Sequence, residues 1–144
     1  MSSVQAASTV PKKHLRRALL ALACMAGAVG AQAQSAMPQW KGEGAVRYVC
    51  GGIGSDESTA MRAAMKDHPL ALLFARSDGA YLADVQVDIK GADGAPSLAL
   101  RASGPVCLVD LPAGRYTIDA AMAGSAKSQA VTVGSGSKTV DFRF

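Results

Sequence analysis

The chain has 144 residues and a formal net charge of +4. Four of its 15 Lys and Arg residues lie in the stretch 12–17, whereas all 11 of its acidic residues come after residue 42. The rest of the chain is therefore close to neutral, which gives no basis for charge-driven binding to nucleic acid or to an anionic membrane surface.

Residues 1–33 are predicted to be a secretory signal peptide that is removed from the mature protein. The basic stretch KKHLRR at 12–17 precedes an apolar stretch that ends in small residues, which is the pattern of such signals. Cleavage is open after Ala31 or after Ala33, and we favour Ala33. Because residues 18–31 are fewer than the roughly 20 that span a bilayer, we expect no stable membrane span after cleavage and a periplasmic or secreted location by Gram-negative export.

The mature chain is predicted to consist of a flexible lead-in at 34–44 and one domain at 45–144. Its two cysteines, Cys50 and Cys107, are expected to form a disulfide, since an even pair in an exported chain is more often bonded than free. Together with His68 they cannot supply the four ligands of a structural zinc site. We therefore predict no metal and no cofactor.

The first elements of the domain are a strand at 45–50 and a helix at 55–68. Met61, Ala64, Met65 and His68 recur at helical spacing on one face, with Ser55 or Asp56 available to cap the first turn and Pro69 to end the helix. His68 is expected to have a capping or packing role, because no partner for catalysis can be named from the sequence.

The glycines between these two elements are predicted to form a turn and not a phosphate-binding loop. A strand, glycines and a helix are the layout of a dinucleotide fingerprint, but Glu57 stands where the third glycine would be. Asp56 and Glu57 would also repel an anion from the helix N-terminus.

From residue 70 onward the pattern is one of short strands separated by turns. Val85, Val87 and Ile89 alternate with polar residues, which indicates a strand with one buried face. The spacing predicts an all-β fold, a seven- to eight-stranded antiparallel sandwich with one short helix after the first strand. The later strands are predicted at 70–76, 81–90, 97–103, 106–111, 115–123, 127–133 and 138–144.

The segment 104–133 resembles the recurring core of carboxypeptidase regulatory-like domains, a transthyretin-like sandwich family related to Cna protein B-type modules. Leu111, Pro112, Gly114 and Tyr116 match the corner motif of that family. The stretch 48–75 resembles small exported proteobacterial proteins of this type without an assigned function. The resemblance implies a fold and a turn at 112–114 with Tyr116 pointing inward, but no activity.

Activities of neighbouring families are not supported by the residues present. A Lys–Asn isopeptide bond, as in Cna B-type domains, is impossible because the chain has no asparagine. Hydroxyisourate hydrolases of the transthyretin-related type rely on several histidines, whereas the predicted mature chain has only His68.

The sequence therefore predicts an exported, non-catalytic binding or interaction module of the cell envelope, with no catalytic residues. We expect it to contact a protein or an envelope polymer through loops or an edge strand. One alternative is an enzyme with an unrecognised site, which would require a cleft with converging, perturbed titratable groups. Another is a small outer-membrane β-protein, suggested by the alternation of Val140, Phe142 and Phe144 but disfavoured by strands shorter than about 9–11 residues.

Overall fold

A computed structural model describes residues 37–144, so the predicted signal peptide and its cleavage site lie outside the described residues. Within that range the chain forms nine strands, one α-helix and one 3₁₀ turn. In chain order they are β1 (Lys41–Glu43), β2 (Val46–Gly51), α1 (Ser55–Ala64), the 3₁₀ turn (Met65–Asp67), β3 (Leu70–Ala75), β4 (Val85–Gly91), β5 (Leu98–Ala102), β6 (Val106–Asp110), β7 (Gly114–Met122), β8 (Ser125–Val133) and β9 (Lys138–Arg143).

The strands form two sheets. The first has five strands in the order β1-β2-β6-β3-β9, and the second has four in the order β5-β4-β7-β8. The predicted all-β sandwich with a single short helix is confirmed. The predicted count of seven to eight strands is wrong, because the lead-in contributes β1, and the helix therefore follows the second strand.

Two further details of the sheet depart from the sequence prediction. The β3–β9 ladder is parallel, whereas all other ladders between strands are antiparallel. The whole second sheet separates β3 from β9 along the chain, so no hairpin turn imposes an antiparallel arrangement on this pair. Strand β1 consists of three exposed residues, and such a segment has no alternating pattern by which it could be found.

The main core lies between the two sheets. Val85, Val87 and Ile89 of β4 point into it as predicted, each with at most 1% of its surface exposed. From the opposite sheet, Phe74 and Phe142 stack with ring centroids 5.7 Å apart. Burial of such side chains, at about 25 cal/mol per Å² of apolar surface, is the dominant favourable contribution to folding.

A second, smaller core lies between the five-stranded sheet and α1. Met61 is fully buried there against Val49, Ala71, Val106 and Leu108. Strands β3 and β6 are consequently buried on both faces, which explains why their sequences are apolar almost throughout. The helix forms a third layer, and its predicted apolar face is the face that packs.

The helix is shorter than the predicted span of 55–68. It ends at Ala64 and continues as the 3₁₀ turn, and His68 is already extended, with φ −120° and ψ 148°. Pro69 accounts for this difference, because the proline ring disfavours the helical conformation of the residue that precedes it.

The predicted corner at 111–116 is closed by a buried tyrosine. The Tyr116 hydroxyl donates a hydrogen bond of 2.7 Å to the carbonyl oxygen of Pro112, and only 2% of the residue is exposed. Burial raises the pKa of the Tyr116 phenol. Tyr116 and Ile118, two residues apart on β7, both point into the core.

We expect Tyr116→Phe to lower the free energy of unfolding by about 1 kcal/mol at neutral pH, since it removes one buried hydrogen bond. The difference should shrink in alkali. Because the folded-state pKa of Tyr116 is raised above about 10, the unfolded chain ionises first, and the stability owed to this group is full below pH 10 and falls above it. Urea unfolding of both proteins at neutral and alkaline pH measures this. A difference that stays constant with pH would contradict it, and Tyr81→Phe, at an exposed tyrosine, is the control.

Candidate functional site

Four polar and aromatic side chains meet on the helix side of the five-stranded sheet. We refer to Trp40, Arg47, His68 and Asp110 as the His68–Asp110 cluster. Arg47 and Asp110 are cross-strand partners in the β2–β6 ladder. They lie two residues from Val49 and Leu108, which pack against α1, so the period of two in a strand puts them on the same face.

The cluster is organised around the carboxylate of Asp110. One oxygen, Oδ1, lies 2.8 Å from Nδ1 of His68, and Oδ2 accepts a hydrogen bond of 2.8 Å from Arg47. The side chains of His68 and Asp110 are 21% and 19% exposed. Trp40 closes the group, with its ring 4.7 Å from that of His68 and 5.1 Å from the guanidinium carbon of Arg47.

Asp110 binds the Nδ1 atom of His68, so Nε2 is the ring nitrogen that remains for other chemistry. A carboxylate bound to Nδ1 fixes the orientation of an imidazole and directs Nε2 to act as a base or a ligand. Among the described hydrogen bonds, no serine or cysteine joins His68, and residues 37–144 contain no group of three His, Cys, Asp or Glu side chains that could hold a metal. The capping or packing role predicted for His68 is thus accompanied by a hydrogen bond to a partner 42 residues away, which the sequence alone did not reveal.

We expect Asp110→Asn to lower the free energy of unfolding by about 1–2 kcal/mol, since it weakens two charge-assisted hydrogen bonds at a half-buried position. Asp93→Asn is the matched control, because Asp93 pairs with Arg115 at a site where both side chains are about 70% exposed and such pairs contribute little. Urea unfolding followed by Trp40 fluorescence compares the two. Equal effects would show that the cluster adds nothing beyond a surface ion pair.

The sequence-predicted turn at the glycines is held by a carboxylate. Oε1 of Glu57 accepts hydrogen bonds from the amides of Gly52, at 2.7 Å, and Ile53, at 3.4 Å. A Cβ at Gly51 would lie 2.3 Å from this oxygen, so a side chain at this position would force the carboxylate to move. The expectation that Ser55 or Asp56 caps the helix is wrong. Gly54 is the N-cap and no side chain caps the helix, because Ser55 and Asp56 already lie in its first turn, past the N-cap position.

Cys50 and Cys107 face each other in the β2–β6 ladder, with their sulfur atoms 2.06 Å apart at disulfide bonding distance. Both residues are buried. The bridge joins the same two strands that carry Arg47 and Asp110, three residue pairs along the ladder.

Reduction is expected to lower the free energy of unfolding by up to about 4 kcal/mol, the chain-entropy value for a closed loop of 57 residues. Thermal unfolding of a chain that begins at Gln34, with and without a reductant, measures the loss as a fall in Tm. The Cys50→Ala, Cys107→Ala double variant should show no response to the reductant. A wild-type Tm that also does not change would mean that the bridge does not stabilise the domain.

The ion pairs of the second sheet are remote from this cluster. Lys90 donates a hydrogen bond of 2.8 Å to Asp119, which also accepts one of 2.6 Å from Ser128. These bonds hold the pKa of Asp119 below its usual value, and the first of them raises the pKa of Lys90. The groups with perturbed pKa values in the described part of the chain therefore do not converge on His68.

The corner residues line an open depression at one end of the second sheet. Its volume is about 550 Å³, and Pro112, Gly114 and Arg115 lie on one side of it, with the loop 92–96 on the other. Leu111, in contrast, is 6% exposed and belongs to the main core. The corner therefore shapes the surface next to this loop but brings no titratable group to the His68–Asp110 cluster.

Strand β8 is the longest edge strand of the sandwich. It pairs with β7 and lies at the end of its sheet, and its first six residues are all exposed. The turn before it has two residues, Ala123 with φ 45° and Gly124 with φ 81°, and positive φ at both positions is typical of a type I′ hairpin. The sequence predicted contact through loops or an edge strand but did not indicate that β8 lies at an edge.

The hairpin also determines which backbone groups of β8 are free. In a two-residue hairpin the pair next to the turn, here Met122 and Ser125, is hydrogen bonded, and bonded and non-bonded pairs then alternate. The amides and carbonyls that point away from β7 therefore belong to the alternate residues Ala126, Ser128, Ala130 and Thr132.

No family model matches the chain, and no curated protein matches it. Of the helices in the part of the chain described here, none is long and apolar enough to cross a membrane.

Proposed function

We propose that this protein is an exported, non-catalytic interaction module of the cell envelope, and that it binds its partner by main-chain pairing along β8. Export is supported by the basic and apolar pattern of residues 12–33. The observation that carries the proposal is the free edge of β8, because an unpaired strand edge is a template for another strand.

The free edges of the described sheets differ in length and exposure. Strand β8 has nine residues, compared with six in β9, five in β5 and three in β1. A longer strand offers more backbone hydrogen bonds to a partner, and those bonds supply the affinity in strand addition. The side chains of β8 are small or polar, and only Lys127 is charged, so few groups oppose the approach of a second strand.

We also propose that the domain belongs to the carboxypeptidase regulatory-like, transthyretin-like group of sandwiches. The corner at 111–116 supports this assignment, since Tyr116 binds the carbonyl of Pro112 where the resemblance expects an inward tyrosine after the turn. In such a module the sandwich is a rigid support, and recognition resides in its loops and edges.

A second candidate function is an enzyme that uses the His68–Asp110 cluster. The observation that favours it is the hydrogen bond of Asp110 to Nδ1 of His68, which leaves Nε2 positioned as a general base. Turnover of a model ester or phosphate that is lost in His68→Ala would favour this candidate over the interaction module.

Site-specific photocrosslinking in the periplasm of a bacterial host tests the proposal. A photoreactive residue at Ala130, on the exposed edge of β8, should give a covalent adduct, whereas one at Ala99, which is exposed on the edge strand β5, should not. Equal adducts at both positions, or none at Ala130, would contradict binding along β8.

The same preparation tests export. The intact mass of the purified protein should correspond to a chain that begins at Gln34 or Gln32, without a free thiol. A retained leader, a lipid adduct or two reactive thiols would contradict the proposed compartment.

A further inference from the structure

We propose that the partner that β8 fits is a second copy of this chain, paired antiparallel with its own β8 about a two-fold axis at Gln129. This inference rests on the proposed function, since it names the strand that occupies the free edge. It follows from the direction of the backbone groups, the side chains that would face each other, and the lengths of the other edges.

The backbone groups permit one register that pairs the whole strand. The outward groups belong to Ala126, Ser128, Ala130 and Thr132, so hydrogen-bonded pairs must join members of this set across the axis. With Gln129 on the axis, Ala126 meets Thr132 of the second copy and Ser128 meets Ala130 of the second copy. All nine residues of β8 are then paired, and the two strands exchange about eight main-chain hydrogen bonds.

The side chains are compatible with that register. Lys127 would lie opposite Val131 of the second copy, so no like charges face each other across the strands. Val131 is half-buried, and the aliphatic part of a lysine covers apolar surface well. The Gln129 side chain donates a hydrogen bond of 2.8 Å to the carbonyl oxygen of Asp141 in its own copy, which draws it away from the axis.

The other sheet edges of a second copy would be less favourable partners for β8. The other sheet edges have six residues or fewer, so none could pair with the full length of β8. A contact between β8 and a different edge would be heterologous and would form a ring or an open filament, whereas β8 with β8 closes as a dimer. The predicted mature chain has 11 basic and 11 acidic residues, so net charge does not oppose self-association.

Sedimentation equilibrium of the oxidised mature chain, from micromolar to submillimolar concentration, tests the inference. We expect a dimer whose Kd rises roughly 30-fold in Ala130→Pro, which removes one outward amide from each copy and leaves the bonds to β7 in place. Ala130→Ser keeps the amide and is the matched control. Circular dichroism and the Tm of each variant verify that it is folded.

A second variant tests the register itself. Gln129→Cys should form an intermolecular disulfide under mild oxidation, since the two residues would face each other on the axis as a non-hydrogen-bonded pair about 4.5 Å apart at Cα. Ala99→Cys on β5 is the control and should remain monomeric.

A chain that is monomeric at all concentrations would overturn the inference, and so would a dimer that is unaffected by Ala130→Pro and does not cross-link through Gln129→Cys. The proposed function would survive either result if the Ala130 adduct in cells carried the mass of a different protein. It would fail together with the inference if no adduct formed at Ala130.

Discussion

Strand β6 is the element on which the rest of the structure depends, because it is paired on both edges and buried on both faces. It hydrogen bonds to β2 on one side and to β3 on the other. Val106 and Leu108 face the helix, whereas Cys107 and Val109 face the second sheet. A change in the register of β6 by one residue would exchange these two sets and disrupt both cores at once.

The β2–β6 ladder also concentrates the polar and covalent features of the first sheet. It contains the Cys50–Cys107 bridge and, three residue pairs along, the Arg47–Asp110 ion pair. The bridge restricts the unfolded chain, and the ion pair connects the ladder to His68 at the start of β3. The region is therefore held together by packing, a covalent bond and charge.

Strand β8, at the opposite side of the sandwich, is paired along only one edge and is largely exposed. Lys127 and Gln129 lie on the same face of β8 as the inward-pointing Val131 and Val133, yet both are exposed. The side chains near the hairpin turn lie outside the core, so the first half of β8 is held by backbone bonds to β7 and by the side-chain hydrogen bonds of Ser128 and Gln129. A rigid support with one unpaired strand is a physical arrangement suited to the proposed strand addition, whereas the His68–Asp110 cluster lies on the other sheet.

Local patterns in the sequence determined much of this fold. The alternation of Val85, Val87 and Ile89 identified the inward face of β4, because it depends only on neighbours in the chain. The corner before Tyr116 was implied by the family resemblance, and its turn residues agree with it. The helix face around Met61 was equally evident from its spacing. The end of the helix was predicted too late, because the effect of Pro69 on His68 competes with the apolar pattern that suggested a longer helix.

Long-range pairing was decided only by the tertiary structure. The parallel contact of β9 with β3, the hydrogen bond between His68 and Asp110, and the position of β8 at a sheet edge all join or separate segments that are distant in the chain. The alternation of apolar and polar residues shows which face of a strand is buried. It does not show whether another strand is paired along either edge, so an edge strand and a central strand can have the same pattern. Local sequence patterns thus located the helix and every described strand except β1, whereas the long-range contacts determine which edges and polar groups are available for function.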